Sequence, residues 1–183
     1  MTTSLRYGGH IGPPELSEVS RYINKYFYPC IPIEAKHTLP TNGVSSVLDM
    51  VAFNSCKAGD GIMVITPTYA MYEVDLCARS GAVLLEVSSV DISDQFSYIC
   101  APKLIVNFRR AYDTAVAGGV KVEAVALCNP SNPHGRCYSR MTLTAIAEFC
   151  GQLSSTYLQM RSTPCPPLRQ LRAMATWMAS RRC

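Results

Sequence analysis

The sequence predicts an α/β fold, a mainly parallel sheet with flanking helices, on three observations. Short apolar runs of strand length alternate with helical stretches of about ten residues, the pattern of βαβ units. Clusters of Gly, Pro, Asn and Asp punctuate the ends of those runs. The 183 residues are 48% hydrophobic and 16% charged, values of a globular chain with room for one good core.

Pro13-Pro14-Glu15 reads as a helix start. Leu16, Val19, Ile23 and Phe27 recur on one face until Pro29 stops the helix. Residues 28–40 read as loop with a short strand around His37–Leu39. Thr41-Asn42-Gly43-Val44-Ser45-Ser46 is a glycine turn entering a helix expected to bury Val47, Leu48, Val51 and Ala52. Lys57-Ala58-Gly59-Asp60-Gly61 is a turn and Ile62–Ile65 a buried strand. Thr66-Pro67-Thr68-Tyr69 breaks it before a helix from about Ala70 to Arg79. Ser80-Gly81 leads into a strand over Ala82–Val87.

Residues 88–102 are polar and irregular. Leu104, Ile105, Phe108, Ala111, Tyr112 and Ala115 give a helical face closed by Gly118-Gly119. The strand Val122–Cys128 runs into Asn129-Pro130-Ser131-Asn132-Pro133-His134-Gly135. Two Asn-Pro pairs continue neither strand nor helix, because each proline lacks an N–H and pushes the residue before it out of the α region. This is a stiff loop at the carboxyl end of a strand, where open α/β sheets bind ligands. A last helix has Leu143, Ile146, Ala147 and Cys150 on its inner face. With no further strand in view, the apolar face of Arg140–Cys150 is expected to stay uncovered and stability to be marginal.

Past about Gln152 the composition turns to Ser, Arg, Pro and Cys without a period. Residues 1–152 are therefore read as the domain, and 153–183 as an irregular basic tail. Leu168, Leu171, Ala175 and Met178 allow one short basic amphipathic helix on a membrane surface; the other reading is a tail that packs against nothing. The formal charge of +4 comes from that tail. Its five arginines (161, 169, 172, 181, 182) face no acid, which leaves 12 basic and 13 acidic residues in the remainder.

A body near neutrality has no nucleic-acid footprint. No apolar run is long enough to span a bilayer, and the first residues lack the apolar core of a signal peptide. Nine cysteines stand singly, with no CxxC and no metal-ligand spacing. Reduced thiols, a cytoplasmic location and no metal site are the expectations.

Three turns offer chemistry. Gly43-Val44-Ser45 opens a helix, where backbone N–H groups and the dipole favour an anion such as phosphate and Ser45 adds a hydroxyl; the plainer reading is an N-cap. Tyr69, after Pro67, can present its ring to a flat ligand, or simply pack. Asn132, held between Ser131 and Pro133, has an amide free to donate, or closes an Asx turn.

Taken together, the three turns resemble the large domain of fold-type I pyridoxal-phosphate enzymes. The likeness is to the class I/II aminotransferases, including the branch similar to 1-aminocyclopropane-1-carboxylate synthase. It runs from about Tyr7 to Gln152 and rests on Thr41-Asn42-Gly43-Val44-Ser45, Ala58-Gly59-Asp60-Gly61 with Thr66-Pro67-Thr68-Tyr69, Ser80-Gly81-Ala82, and Asn129 to Gly135. The resemblance implies pyridoxal 5′-phosphate as cofactor. Asn132 would donate to its phenolic oxygen, Tyr69 would stack on its ring, and the Val44 backbone with Ser45 would hold its phosphate. It also implies amino-acid substrates in an intact relative, and a homodimer or a heterodimer with a full-length family member. His134 stands where Thr or Leu is common and is expected to face solvent.

Such chemistry also uses a lysine that forms the Schiff base and an acid that pairs with the pyridine nitrogen, both after the Asn-Pro motif. Here the last lysine is Lys121 and the last acid Glu148. No catalytic residue is therefore assigned. The expectation is a truncated, inactive aminotransferase-like chain whose tail is not selected for a fold. The alternatives are a non-catalytic module that binds cofactor or pairs with a complete paralogue, a chain of synthase-like lyase descent, or an unrelated α/β binding domain.

Overall fold

The computed structural model describes residues 15–29, 31–153 and 155–160. They fall into two units divided after Thr41. The first contains helix α1, Glu15–Phe27, and a 3₁₀ turn, Ala35–His37. Within it the Asn24 amide clasps Ile33 from both sides, donating to its carbonyl and accepting from its N–H at 2.8 Å each. The strand expected at His37–Leu39 is absent. Glu34 and His37 instead bond each other's backbone reciprocally, and that local closure turns the chain into the 3₁₀ bend.

The second unit is an open parallel sheet. Helix α2, Gly43–Ser55, precedes strand β1, Gly61–Thr66. A π-helical turn, Glu73–Cys77, leads to β2, Val83–Ser88. Helix α3, Ala101–Ala117, then returns the chain to β3, Val122–Cys128, and α4, Arg140–Leu153, leads to β4, Thr156–Met160. The strand order is β2-β1-β3-β4 and every pairing is parallel. This is the α/β architecture that alternating strands and helices predict, with β1 and β3 buried almost throughout as central parallel strands are.

Successive strand residues point to opposite faces, so each face has its own core. Ile62 and Val64 of β1 and Ala124 and Ala126 of β3 pack with Leu48, Ala52, Tyr72 and Leu76. Only Leu48 and Ala52 of α2 are buried; Val47 is exposed and Val51 half-buried. The stripe is narrower than the sequence suggests because positions 48 and 52 lie one turn apart on the face toward the sheet, while 47 and 51 sit about 100° around the helix. On the opposite sheet face Met63, Ile65, Val125 and Leu127 are buried as well, and α3 packs on β2, β3 and α4.

Further expectations fail in this unit. The inner face of α4 is covered: Phe149 is 2% exposed and its ring meets Phe108 at 5.4 Å and Tyr112 at 6.4 Å. Helix α3, packing beside α4, supplies the surface that the sequence reading found missing. Residues 156–160, read as part of an irregular tail, form β4, aligned in parallel from Ala124↔Thr156 to Cys128↔Met160. A five-residue strand leaves too short a pattern to see against a Ser/Thr-rich background. Cys137 is disulfide-bonded, so reduced thiols throughout do not hold. The proposed membrane-surface helix around Leu168–Met178 lies outside the described residues.

Candidate functional site

From β1 the chain moves outward to β2 on one side, then crosses by α3 to β3 on the other. The carboxyl ends of β1 and β3 therefore flank the point where strand order reverses, the place where open α/β sheets leave a crevice. Tyr69 lies just past the end of β1 and Asn132 just past the end of β3.

The start of α2 reaches the same end of the sheet. Ser45 Oγ donates to Asp75 Oδ2 at 3.1 Å, and one turn later Arg79 pairs with Asp49 at 2.8 Å. Equal steps on both partners mean that α2 and the π-helical turn run side by side in the same direction. The π-helical turn begins where β1 has ended, so α2 begins there too. Gly43 enters α2 with φ +77°, a left-handed conformation that a side chain would strain. Asn42, at the N-cap, makes no side-chain capping bond. Val44 and Ser45 are both exposed.

Tyr69 is half-buried, and its ring meets Tyr72 edge-on at 5.5 Å and 85°. Tyr72 is 1% exposed, so a core residue fixes the plane in which Tyr69 stands. The break in the sequence at Thr66-Pro67 is the cis peptide that takes the chain out of β1.

The Asn-Pro loop is closed by rungs at its base. Asn129, 1% exposed, accepts the Tyr138 N–H on its side-chain oxygen at 3.0 Å. Ser131 N–H donates to the Arg136 carbonyl at 2.8 Å, and Gly135 N–H to the Ser131 carbonyl at 2.7 Å. Asn129–Pro130 and Asn132–Pro133 are both cis, and Gly135 has φ +66°. The rungs leave Asn132 to Gly135 as an exposed tip. The Asn132 amide makes no hydrogen bond among the described residues, so it closes no Asx turn. His134 is exposed as expected but tethered, since Nδ1 shares a 3.1 Å hydrogen bond with Ser131 Oγ. Burial pushes the Tyr138 phenol up to about 12, a rise that its hydrogen bond with the Ser131 side chain opposes.

Asp75, Asn129 and Phe96 shape the site; the sequence gives Asn129 only as part of its motif, without a role of its own, and points to neither Asp75 nor Phe96. Asp75 gives little signal: it is one of two acids in a stretch of mixed burial, where Tyr72 and Leu76 are core and Met71, Glu73 and Val74 are exposed. Asn129 and Asn132 are indistinguishable as letters, each an Asn before Pro, and only the fold buries one and exposes the other. Phe96 sits in a stretch whose composition says loop.

Within this unit no lysine is placed to serve the site. Lys121 lies at the amino end of β3, paired with Glu123 at 2.6 Å, and Lys57 precedes β1. A strand of seven residues rises about 23 Å, which separates Lys121 from the Asn132 end. Lys103 is engaged by Asp91 at 3.3 Å. Among the described residues no group of His, Cys, Asp and Glu is arranged to hold a metal, and no helix is long and apolar enough to cross a membrane.

The family model for aminotransferase class I and II matches residues 2–157. The chain belongs to that family.

Among its relatives, the aminotransferase verI of Clonostachys rogersoniana is 33% identical over 142 residues, 77% of this chain and 32% of that protein. The 1-aminocyclopropane-1-carboxylate synthase 3 of Oryza sativa subsp. japonica is 34% identical over 109 residues, 60% of this chain and 23% of that protein. The chain spans about a third of the length of the aminotransferases it matches. Solved aminotransferases share the fold. The Thermus thermophilus aspartate aminotransferase with maleate superposes with a TM-score of 0.65 at 19% identity, over 85% of this chain and 37% of that one. The N-succinyldiaminopimelate aminotransferase from Mycobacterium tuberculosis gives 0.66 at 20%, over 85% and 37%.

Proposed function

We propose that residues 42–160 form a pyridoxal-phosphate-binding part of an aminotransferase-like large domain, and that these residues alone do not catalyse transamination. The observation that carries the reading is the convergence of Tyr69 and Asn132 on the two strand ends that flank the switch point, with the N-terminus of α2 at the same end. The donor set suits this cofactor in kind. The start of α2 offers backbone N–H groups to an anion, with the Ser45 hydroxyl available only if it leaves Asp75; Tyr69 offers a flat face held by Tyr72, and Asn132 an amide that makes no hydrogen bond among the described residues.

When bound, pyridoxal phosphate supplies the electron sink that amino-acid chemistry draws on. This chain's own residues would seat the phosphate, fix the plane of the ring and hold a hydrogen bond at one ring oxygen. The proton transfers of transamination call for a lysine, and the ring nitrogen for an acid. Lys121 and Lys57 stand at the wrong end of the sheet, and neither a lysine nor an acid follows Glu148 in these residues. The resemblance places both groups after the Asn-Pro motif, so turnover on an amino acid would draw on a longer chain or a partner subunit of the same family that brings them.

Borohydride reduction of the protein with pyridoxal phosphate, followed by peptide mapping, tests the division between binding and catalysis. Reversible binding without one specifically modified lysine is the expected result. A single lysine modified in full, with transamination of any amino acid, overturns it.

A further inference from the structure

We propose that Phe96 is the positioning residue that aims the Asn132 loop at the cofactor, an inference resting on the cofactor reading above. Phe96 lies between β2 and α3, far from the loop in sequence, and is 7% exposed. After Asn132 the chain presents alternate residues to its ring. His134 meets it edge-on at 5.2 Å, the Arg136 guanidinium lies 4.8 Å from its centroid, and the Tyr138 ring packs at 4.8 Å. The backbone repeats the attachment, since Ser139 N–H donates to the Phe96 carbonyl at 3.0 Å.

Asp94 completes the clamp. Its carboxylate takes both Arg136 Nη1 and Nη2, at 3.1 and 3.0 Å, and also accepts the Phe96 N–H at 3.1 Å. That guanidinium holds the Asp94 carboxyl below the usual carboxylate range. The rungs from Asn129 and Ser131 close the loop on itself but do not fix its direction relative to the sheet. Phe96 and Asp94 do, by gripping three alternate residues from outside the loop. With Phe96 removed, the Asn132 tip keeps its local turn and loses its aim.

The test uses the full chain with Phe96→Leu and Phe96→Tyr, read by amide hydrogen exchange without ligand and by pyridoxal phosphate affinity. Phe96→Leu is expected to speed exchange at Ser131 and Gly135 by about tenfold while β1 and β3 keep their protection. It is expected to weaken cofactor binding by about tenfold, and Phe96→Tyr to restore both. If Phe96→Leu does not fold, Arg136→Ala removes the exposed half of the clamp and is expected to loosen the same amides. Unchanged exchange at Ser131 and Gly135 overturns the proposal, as does a loosened loop that binds cofactor undiminished. Tight loop amides in a wild-type chain with no affinity for pyridoxal phosphate leave a clamp without a cofactor to aim at, which overturns the cofactor reading and the aim together.

Discussion

Ser45 Oγ donates a 3.1 Å hydrogen bond to the carboxylate of Asp75, a residue only 8% exposed. The bond ties the first turn of α2 to the π-helical turn that follows Tyr69, linking two separate parts of the site. Ser45→Ala removes the donor and leaves a buried carboxylate without it. The expected cost is about 1–3 kcal/mol in a urea titration, with Val44→Ala, at an exposed position, within about 0.5 kcal/mol of wild type.

The two Asn-Pro asparagines are expected to separate function from stability. Asn129 is buried and its side chain is the partner of the Tyr138 N–H, whereas Asn132 is exposed on the tip. Asn129→Ala orphans a buried N–H and is expected to destabilise by about 1–3 kcal/mol. Asn132→Ala is expected to leave the unfolding midpoint within about 0.5 kcal/mol of wild type and to act on cofactor binding alone. Urea titration of both variants checks it.

Helix α4 is held by its partner helix rather than left bare. Phe149 packs on Phe108 and Tyr112, with the Arg109 guanidinium 5.1 Å from its ring. Phe149→Ala is expected to cost about 3–5 kcal/mol, the range for emptying an aromatic site in a packed core. A cost under about 1 kcal/mol in the same titration counts against this packing.

Thiol reactivity reports the two cores separately. Burial raises Cys56 from 9.0 to about 11, with Asp60 and Glu123 adding to the rise, and burial raises Cys150 to about 12. Raised values keep the thiol form, so near pH 8 the thiolate fraction is about 100-fold below ordinary for Cys56 and about 1000-fold below for Cys150. Iodoacetamide labelling with mass-spectrometric readout is expected to spare both in the folded chain and to reach them in urea. Labelling of Cys150 at the unfolded rate near pH 8 contradicts the packing of α4.

Strand and helix order was legible in the sequence because the central strands are uninterrupted apolar runs and the helices carry a clear period. β3 matches its expected bounds at Val122–Cys128 for that reason. β4 was not legible, because five residues of mixed polarity gain their strand character from the edge of β3. The turns at Gly43, Tyr69 and Asn132 were legible as letters. Their arrangement was not, because it depends on strand order and on the side-by-side run of α2 and the π-helical turn. Asp75 and Phe96 were missed for the same reason: each acts on residues 30 or more positions away.

The central proposal is that Tyr69 and Asn132, past the ends of β1 and β3, contribute to binding pyridoxal phosphate. Equilibrium titration of wild type, Tyr69→Ala and Asn132→Ala with pyridoxal phosphate, each checked for folding, tests it most directly. The account predicts saturable, reversible binding by wild type, weakened by about five- to tenfold in each variant, as loss of one aromatic or hydrogen-bond contact of about 1 kcal/mol implies. A folded wild type with no affinity, or two variants that bind as wild type does, contradicts it.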